Sequence, residues 1–267
     1  MKSANFKNRS KHCIKSTFTI LVLILLATSC QKEVTGDIGT PSTTPPPTTT
    51  SANVKTYSVI SPVANGIYDT TTFNLSYDAN NRIVGLISAT EPNDKIVYKY
   101  NTNNTYTMDI IEANAVTLHE IFFLNNIPLV DSSVQYNVGL SDTTTEKYIY
   151  NSKNQLINLK TYNHTNVGGS NLISNMASTY DNNGNVVKEV SGTEVTTYTY
   201  YPDLVNNLAV GMLYFYQNKN LVKTTTEPSG ILSSGITNHT YTFDTNNRLT
   251  SETRTFDGKT VIQRYTY

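Results

Sequence analysis

The sequence predicts an all-β protein, an antiparallel up-and-down meander of about 14 strands, strongly curled or closed into a barrel. Three observations predict it. A short unit of aromatic, turn and aliphatic recurs down the chain. Tyr and Thr alternate with period two beside those units, as in Ile96, Tyr98 and Tyr100 around Val97 and Lys99, or Tyr198 and Tyr200 around Thr197 and Thr199. Such alternation implies one buried and one wet face. Finally, an open sheet of that many strands rarely stays flat, and closure also removes the edge strands that invite aggregation.

The best copies of the unit are Tyr77-Asp78-Ala79-Asn80-Asn81-Arg82-Ile83, Tyr150-Asn151-Ser152-Lys153-Asn154-Gln155-Leu156, Tyr180-Asp181-Asn182-Asn183-Gly184-Asn185-Val186 and Phe243-Asp244-Thr245-Asn246-Asn247-Arg248-Leu249. Weaker copies run from Tyr100 to Tyr106, Phe123 to Leu129 and Phe215 to Leu221. Asp and Asn bond their own backbone two residues on, and Asn and Gly tolerate positive φ, so the middle of each copy is a tight turn. A turn centred three residues after the aromatic sets that ring opposite the residue six places on. The two side chains then form a cross-strand pair worth about 0.2–1 kcal/mol. The spacing between copies drifts, which places the variation in the return loops rather than in the tight turns.

In chain order, residues 1–29 are an export signal. Lys2, Lys7, Arg9, Lys11 and Lys15 form a basic start without an acid, and Phe18 to Ala27 is an apolar run too short to span a bilayer, which needs about 20 residues. Leu26-Ala27-Thr28-Ser29-Cys30 resembles a lipoprotein cleavage box, which implies that Cys30 is acylated and becomes the new N-terminus. Cysteine usage agrees. Cys13 lies in the removed part, so Cys30 is left without a disulfide partner. Gln31-Lys32-Glu33 resembles the export signal of Bacteroidetes-type lipoproteins, implying an outer-membrane anchor with surface display, a periplasm-facing anchor being the alternative. Residues 30–55 carry the lipidated Cys and a Thr/Pro-rich tether able to hold a domain up to about 75 Å from the lipid. Residues 56–267 are the β-hairpin repeat domain.

Within that domain, Tyr57–Ile60 and Thr72–Tyr77 read as strands separated by Pro62 and the Asn65-Gly66 turn signal, and Val261–Tyr267 as a final strand paired back across Asp257-Gly258. Leu204, Leu208 and Met212 recur at helical spacing after Pro202-Asp203, predicting a short helix that caps an open end.

The aromatic-turn units resemble Tyr-Asp repeats of the Rhs and teneurin type. The chain as a whole resembles lipoproteins of Bacteroidetes that carry degenerate copies of them. In large Rhs proteins such repeats wind into a shell around a toxin. The few copies here are too few to enclose a cargo, so that activity is not expected.

The chemistry is sparse. Removing the signal takes away five basic residues and leaves 15 against 20 acidic ones, a net of about −5, with no Lys/Arg cluster to hold nucleic acid. His119, His164 and His239 are too far apart in sequence for a zinc pattern, no Gly-x-Ser-x-Gly elbow occurs, and no cofactor is expected. The densest titratable group is Asp109, Glu112, His119 and Glu120, with His119 and Glu120 facing opposite ways on a strand. Asp181–Asn185 partly resembles a calcium loop but lacks the closing Glu and serves as a turn. The 19 tyrosines are expected mainly as strand-face packing, with ligand stacking as a second use. A surface-anchored, non-enzymatic binding or envelope-structural module is expected, with a carbohydrate or an envelope protein as partner. The alternative is a hydrolase acting on glycans or peptides, with two acids converging in a pocket. A membrane-embedded barrel is disfavoured by strands nearer seven residues than nine and by charges such as Lys99, Lys147, Lys160 and Arg254.

Overall fold

The computed structural model describes residues 53–63, 67–165, 169–206, 214, 217–227 and 235–267. Sixteen strands follow one another: β1 (Thr56–Pro62), β2 (Tyr68–Tyr77), β3 (Ile83–Ser88), β4 (Lys95–Tyr100), β5 (Thr105–Glu112), β6 (Ala115–Leu124), β7 (Val130–Asn137), β8 (Thr143–Tyr150), β9 (Leu156–His164), β10 (Ser170–Tyr180), β11 (Val186–Ser191), β12 (Glu194–Val205), β13 (Asn220–Glu227), β14 (Gly235–Phe243), β15 (Leu249–Phe256) and β16 (Lys259–Thr266). Each pairs antiparallel with its chain neighbours, and β1 pairs with β16 from Thr56↔Thr266 to Ile60↔Ile262. The meander is therefore a closed barrel. Six aromatic-turn units join β2–β3, β4–β5, β6–β7, β8–β9, β10–β11 and β14–β15, a longer connection joins β12 to β13, and β1 and β16 close the barrel.

The turn mechanics follow the residues. Tyr77 lies opposite Ile83, Tyr100 opposite Tyr106, Tyr150 opposite Leu156, Tyr180 opposite Val186 and Phe243 opposite Leu249, each six residues on. The carboxylate or amide oxygen next to the anchor holds the turn. Asp78 Oδ1 accepts from the backbone N–H of Asn80 and Arg82, both at 2.9 Å, and Asp244 Oδ1 accepts from Asn246 and Arg248 at the same distance. The fourth residue after the anchor has positive φ: Asn81 59°, Asn104 56°, Asn154 61°, Gly184 91° and Asn247 59°. Asn and Gly occupy those positions because a left-handed residue with a branched side chain is strained. Asn154→Ile is expected to lose about 1–2 kcal/mol in urea denaturation, while Asn154→Gly stays within a few tenths; equal losses would separate the φ requirement from the choice of residue.

Neighbouring units are tied by tyrosine hydroxyls. Tyr100, Tyr150, Tyr180, Tyr200 and Tyr267 donate to the carbonyl of the first residue of a downstream limb (Ile83, Val130, Leu156, Val186 and Leu249), and Tyr241 to that of Val222, the third residue of β13, all at 2.5–2.9 Å. Tyr77 donates to Val54 at 2.8 Å, so the first unit is bonded to the segment entering β1. Tyr267 and Val54 thus act as the two halves of a further unit contributed by the ends of the chain. Tyr150→Phe is expected to cost about 1 kcal/mol, and adding Tyr267→Phe, at the distant closing seam, should double the loss. Thermal or chemical unfolding of the single and double variants measures both.

Two expectations are corrected. The third unit is anchored on Leu124 rather than Phe123: Leu124 pairs with Val130, and Asn125 Oδ1 holds the turn by accepting from Ile127 and Leu129. Phe123 is 40% exposed on the outer face, because a bulge between the two residues moves the register by one. The helix expected from Pro202 begins instead as strand, since Pro202, Asp203, Leu204 and Val205 all belong to β12. Its remainder lies outside the described residues, as do Phe215, the Asn65-Gly66 signal and everything before Asn53. The Asp257-Gly258 hairpin is as expected, with positive φ at both residues and Phe256 opposite Lys259.

The core fills the barrel from inside. Tyr57, Phe73, Ile96, Tyr106, Met108, Phe122, Val130 and Leu249 are buried almost completely and belong to one cluster. They come from β1–β7 and β15, whereas the inward residues of β10 to β12 stay half-buried or exposed. The interior is packed most tightly on the β1–β7 and β15 side, while tyrosines such as Tyr180, Tyr198 and Tyr200 fill the other side less completely.

Candidate functional site in the barrel lumen

Alternation sorts the charges. Glu120, Glu146, Glu189, Glu194, Glu227 and Glu252 share the inward parity of the buried rings, while Lys95, Lys99, Lys147, Lys160, Lys188 and Arg264 share the outward one. Most inward charges are glutamates, joined by Arg254 and by Lys259 at the rim, while the outer face carries most of the lysines together with Asp109. That outer face also carries hydroxyl ladders, with Thr56 Oγ1 2.6 Å from Thr266, Ser58 2.9 Å from Thr72 and Thr199 2.6 Å from Thr224. A lipid-facing barrel presents a continuous apolar band; here threonines and lysines are interspersed with exposed Ile87, Phe123, Tyr136, Val195 and Ile236 on the outer face.

The barrel ends differ. All aromatic-turn hairpins lie at one end, the turn end, and the return loops at the other. At the turn end Tyr214, from the connection between β12 and β13, reaches the opposite wall. Its ring lies 6.3 Å from Tyr100 and 5.6 Å from Tyr106, and its carbonyl accepts from Val130 N at 2.9 Å. Tyr106 in turn stacks on Phe122 with centroids 4.4 Å apart. These rings form an aromatic floor. The chain also enters here: Asn53 Nδ2 donates to Asn81, and Lys55 N donates to Thr266 O at 2.7 Å.

Two buried polar groups face the barrel interior above that floor. In the first, Arg254 grips Glu252 along one edge of its guanidinium, Nε donating to Oε1 at 2.9 Å and a terminal nitrogen to Oε2 at 3.0 Å. His239 Nδ1 lies 2.8 Å from the same carboxylate, and its Nε2 lies 3.0 Å from Thr225 Oγ1. Burial opposes the charge on Glu252, yet Arg254 and His239 prevail and hold its carboxyl down to about 2. In the second, burial pushes the Glu120 carboxyl up to about 7, Ser133 opposing the shift and the nearby Glu146 charge adding to it. Ser133, between the two, sits opposite Glu146 in register, and Tyr148 donates its hydroxyl to Glu146 Oε2. A buried acid with a raised pKa, within reach of a second carboxylate's charge, has the composition of an acid–base pair.

The residues expected from sequence divide accordingly. Glu120 turns into the lumen and His119 onto the outer face, where its Nδ1 lies 2.5 Å from Asp109 Oδ1. Asp109 and His119 thus form a surface dyad, with Glu112 at the end of β5, away from both. His164 is also separate, its Nε2 2.7 Å from Thr145 on the outer face. The Asp181 carboxylate is taken by the N–H donors of its own turn, Asn183 and Asn185. That is turn chemistry, and among the described residues no group of three or more His, Cys, Asp or Glu is placed to hold a metal. Most anchor tyrosines point inward with their hydroxyls bonded to backbone carbonyls, the strand-face packing expected of them. Cys30 lies outside the described residues. Sequence reasoning did not single out Glu252 with Arg254, or Glu146. The spacing of two between Glu252 and Arg254, which puts both on one strand face, was the available signal.

No family model matches the chain, and none of the curated proteins matches it. Solved structures do. A porin-like protein from Bacteroides uniformis superposes with a TM-score of 0.56 at 16% identity, covering 80% of this chain and 97% of its own. A porin-like protein from Bacteroides vulgatus superposes with a TM-score of 0.54 at 12% identity, covering 80% and 98%. At these identities the likeness establishes a shared barrel fold.

Proposed function

We propose that this protein is a lipid-anchored, surface-displayed binding module of the outer membrane, without enzymatic activity, built from degenerate Tyr-Asp repeats and directed at a carbohydrate or an envelope protein. One observation carries the reading: the chain enters the barrel at the turn end, beside the aromatic floor, so a tether running back to Cys30 leaves the other end and its glutamate-lined wall free to face outward. The threonines and lysines that interrupt the outer apolar residues, and the Tyr214 floor, count against a lipid-embedded channel, whatever the name given to the structural neighbours. Cys30→Ala is expected to move the protein from the membrane fraction to the soluble one, and intact-cell protease treatment to degrade the wild type. Retention of the variant in membranes would remove the anchor. Binding of a defined polysaccharide on a glycan array would name the ligand, and single-channel conductance in planar bilayers would replace the module by a pore.

The hydrolase reading keeps one specific support, the Glu120 carboxyl held near neutrality beside Glu146. Turnover of a glycan or peptide by the wild type that disappears in both Glu120→Gln and Glu146→Gln would establish it.

A further inference from the structure

We infer that a step in the rim between β10 and β11 is a docking site for an extended, basic and aliphatic peptide segment of a partner protein, added as a strand along β10. The inference goes beyond the anchoring reading and holds whichever side of a membrane the barrel occupies.

The step comes from unequal ladders. β10 pairs with β9 as far as Ser170↔His164, but β11 leaves it at Met176↔Ser191 and turns at Gly192-Thr193. From Ser170 to Asn175, therefore, β10 has a strand neighbour on one side only among the described residues. Six residues are about 20 Å of edge. Native edges are usually blunted by charge or proline, and Ser170-Asn171-Leu172-Ile173-Ser174-Asn175 contains neither. Its irregularity is a bulge between Leu172 and Ser174 that leaves Ile173 as the extra residue. Leu172 is 52% exposed and Ile173 61%, two adjacent aliphatics facing solvent. Beside them opens a cavity of about 650 Å³, bounded across the step by Gly192, Thr193 and Glu194.

Each part asks for a different property of one occupant. Unsatisfied backbone N–H and C=O groups are best met by another strand, the recognition mode in which main-chain bonds give affinity and alternate side chains give specificity. Leu172 and Ile173 ask for an aliphatic neighbour. Glu194 asks for a cation: it is exposed, no described Lys or Arg lies within ion-pair distance of it, and Glu227 on the next hairpin adds charge of the same sign. Lys188, the one base on β11, faces the other side of the sheet. A segment alternating aliphatic and basic residues satisfies all three demands at once, with one set against the aliphatics and the other toward the carboxylate.

The test uses the full-length protein in detergent and three fluorescent peptides: an alternating Val-Lys nonamer, its Val-Glu counterpart, and the Val-Lys peptide with alternate backbone nitrogens methylated to remove donors. Anisotropy titrations at low salt are expected to show binding of the first and at least about tenfold weaker binding of the other two. Glu194→Lys and Ile173→Asp are each expected to weaken the Val-Lys peptide by a similar factor, with unchanged circular dichroism and melting. Equal binding of Val-Lys and Val-Glu, insensitivity to N-methylation, no binding of any peptide, or unaltered binding by two folded variants would each overturn the docking site. None of these outcomes bears on membrane fractionation of Cys30→Ala, so the two readings fail separately.

Discussion

Replacing Arg254 by Met is expected to destabilise the barrel by about 3–5 kcal/mol at neutral pH, the cost of breaking one side of a buried ion pair. The side chains of Glu252 and His239 are only 10% and 8% exposed, so the stranded carboxylate has no water to turn to. The bidentate contact with Arg254 is what keeps Glu252 ionised against burial. The sign follows from the depressed pKa. A carboxyl held at about 2 against an ordinary 4.5 contributes stability that is complete above about 4.5 and lost as the pH falls through 2. That shift is worth about 3 kcal/mol, the same order as the mutational cost. In Arg254→Met this acid-range loss should shrink. The double variant Glu252→Gln, Arg254→Met should recover part of the stability, because no charge then remains buried. Urea unfolding between pH 2 and pH 7 measures all three. A loss below about 1 kcal/mol in Arg254→Met with the wild-type acid profile would show that the network is solvated.

The second large effect has the opposite sign. Glu120 has a raised pKa, so its contribution to stability is complete below about 4.5 and lost as the pH rises through about 7. Glu120→Gln cannot ionise. It is expected to be more stable than the wild type at pH 8 by up to about 3 kcal/mol, and close to it at pH 4. Thermal unfolding across that range should show a slope in the wild type between pH 5 and pH 8 that the variant lacks. Parallel curves would mean that Glu120 ionises freely and that the lumen wall there is wet. They would also remove the support on which the hydrolase reading rests.

Much of the architecture was legible in the residues. The pairing of Tyr77 with Ile83, or Phe243 with Leu249, follows from local turn chemistry, which acts within seven residues and needs no distant partner. The third unit was misread because Phe123 and Leu124 both suit the anchor position, and only the bulge in β6 decides between them. Of the segment read as a helix from Pro202, the described part to Val205 is the end of β12, where the strand bulges away from β13 between Tyr200↔Val222 and Val205↔Asn220. The lumen was less visible. Glu120 and Glu146 lie on strands separated by β7, and nothing in local sequence says that both face the same interior within reach of each other's charge.

The sequence by itself determined where the chain reverses, which residue of each turn must take positive φ, and that one strand face is aromatic. These are properties of a few consecutive residues, governed by sterics and short-range hydrogen bonds. Tertiary structure decided that the sheet closes, because closure needs Thr56 to meet Thr266 after sixteen accumulated strand twists. It decided equally which glutamates stay charged. A carboxyl's ionisation depends on burial and on partners brought from other strands, and those come into being only when the barrel does.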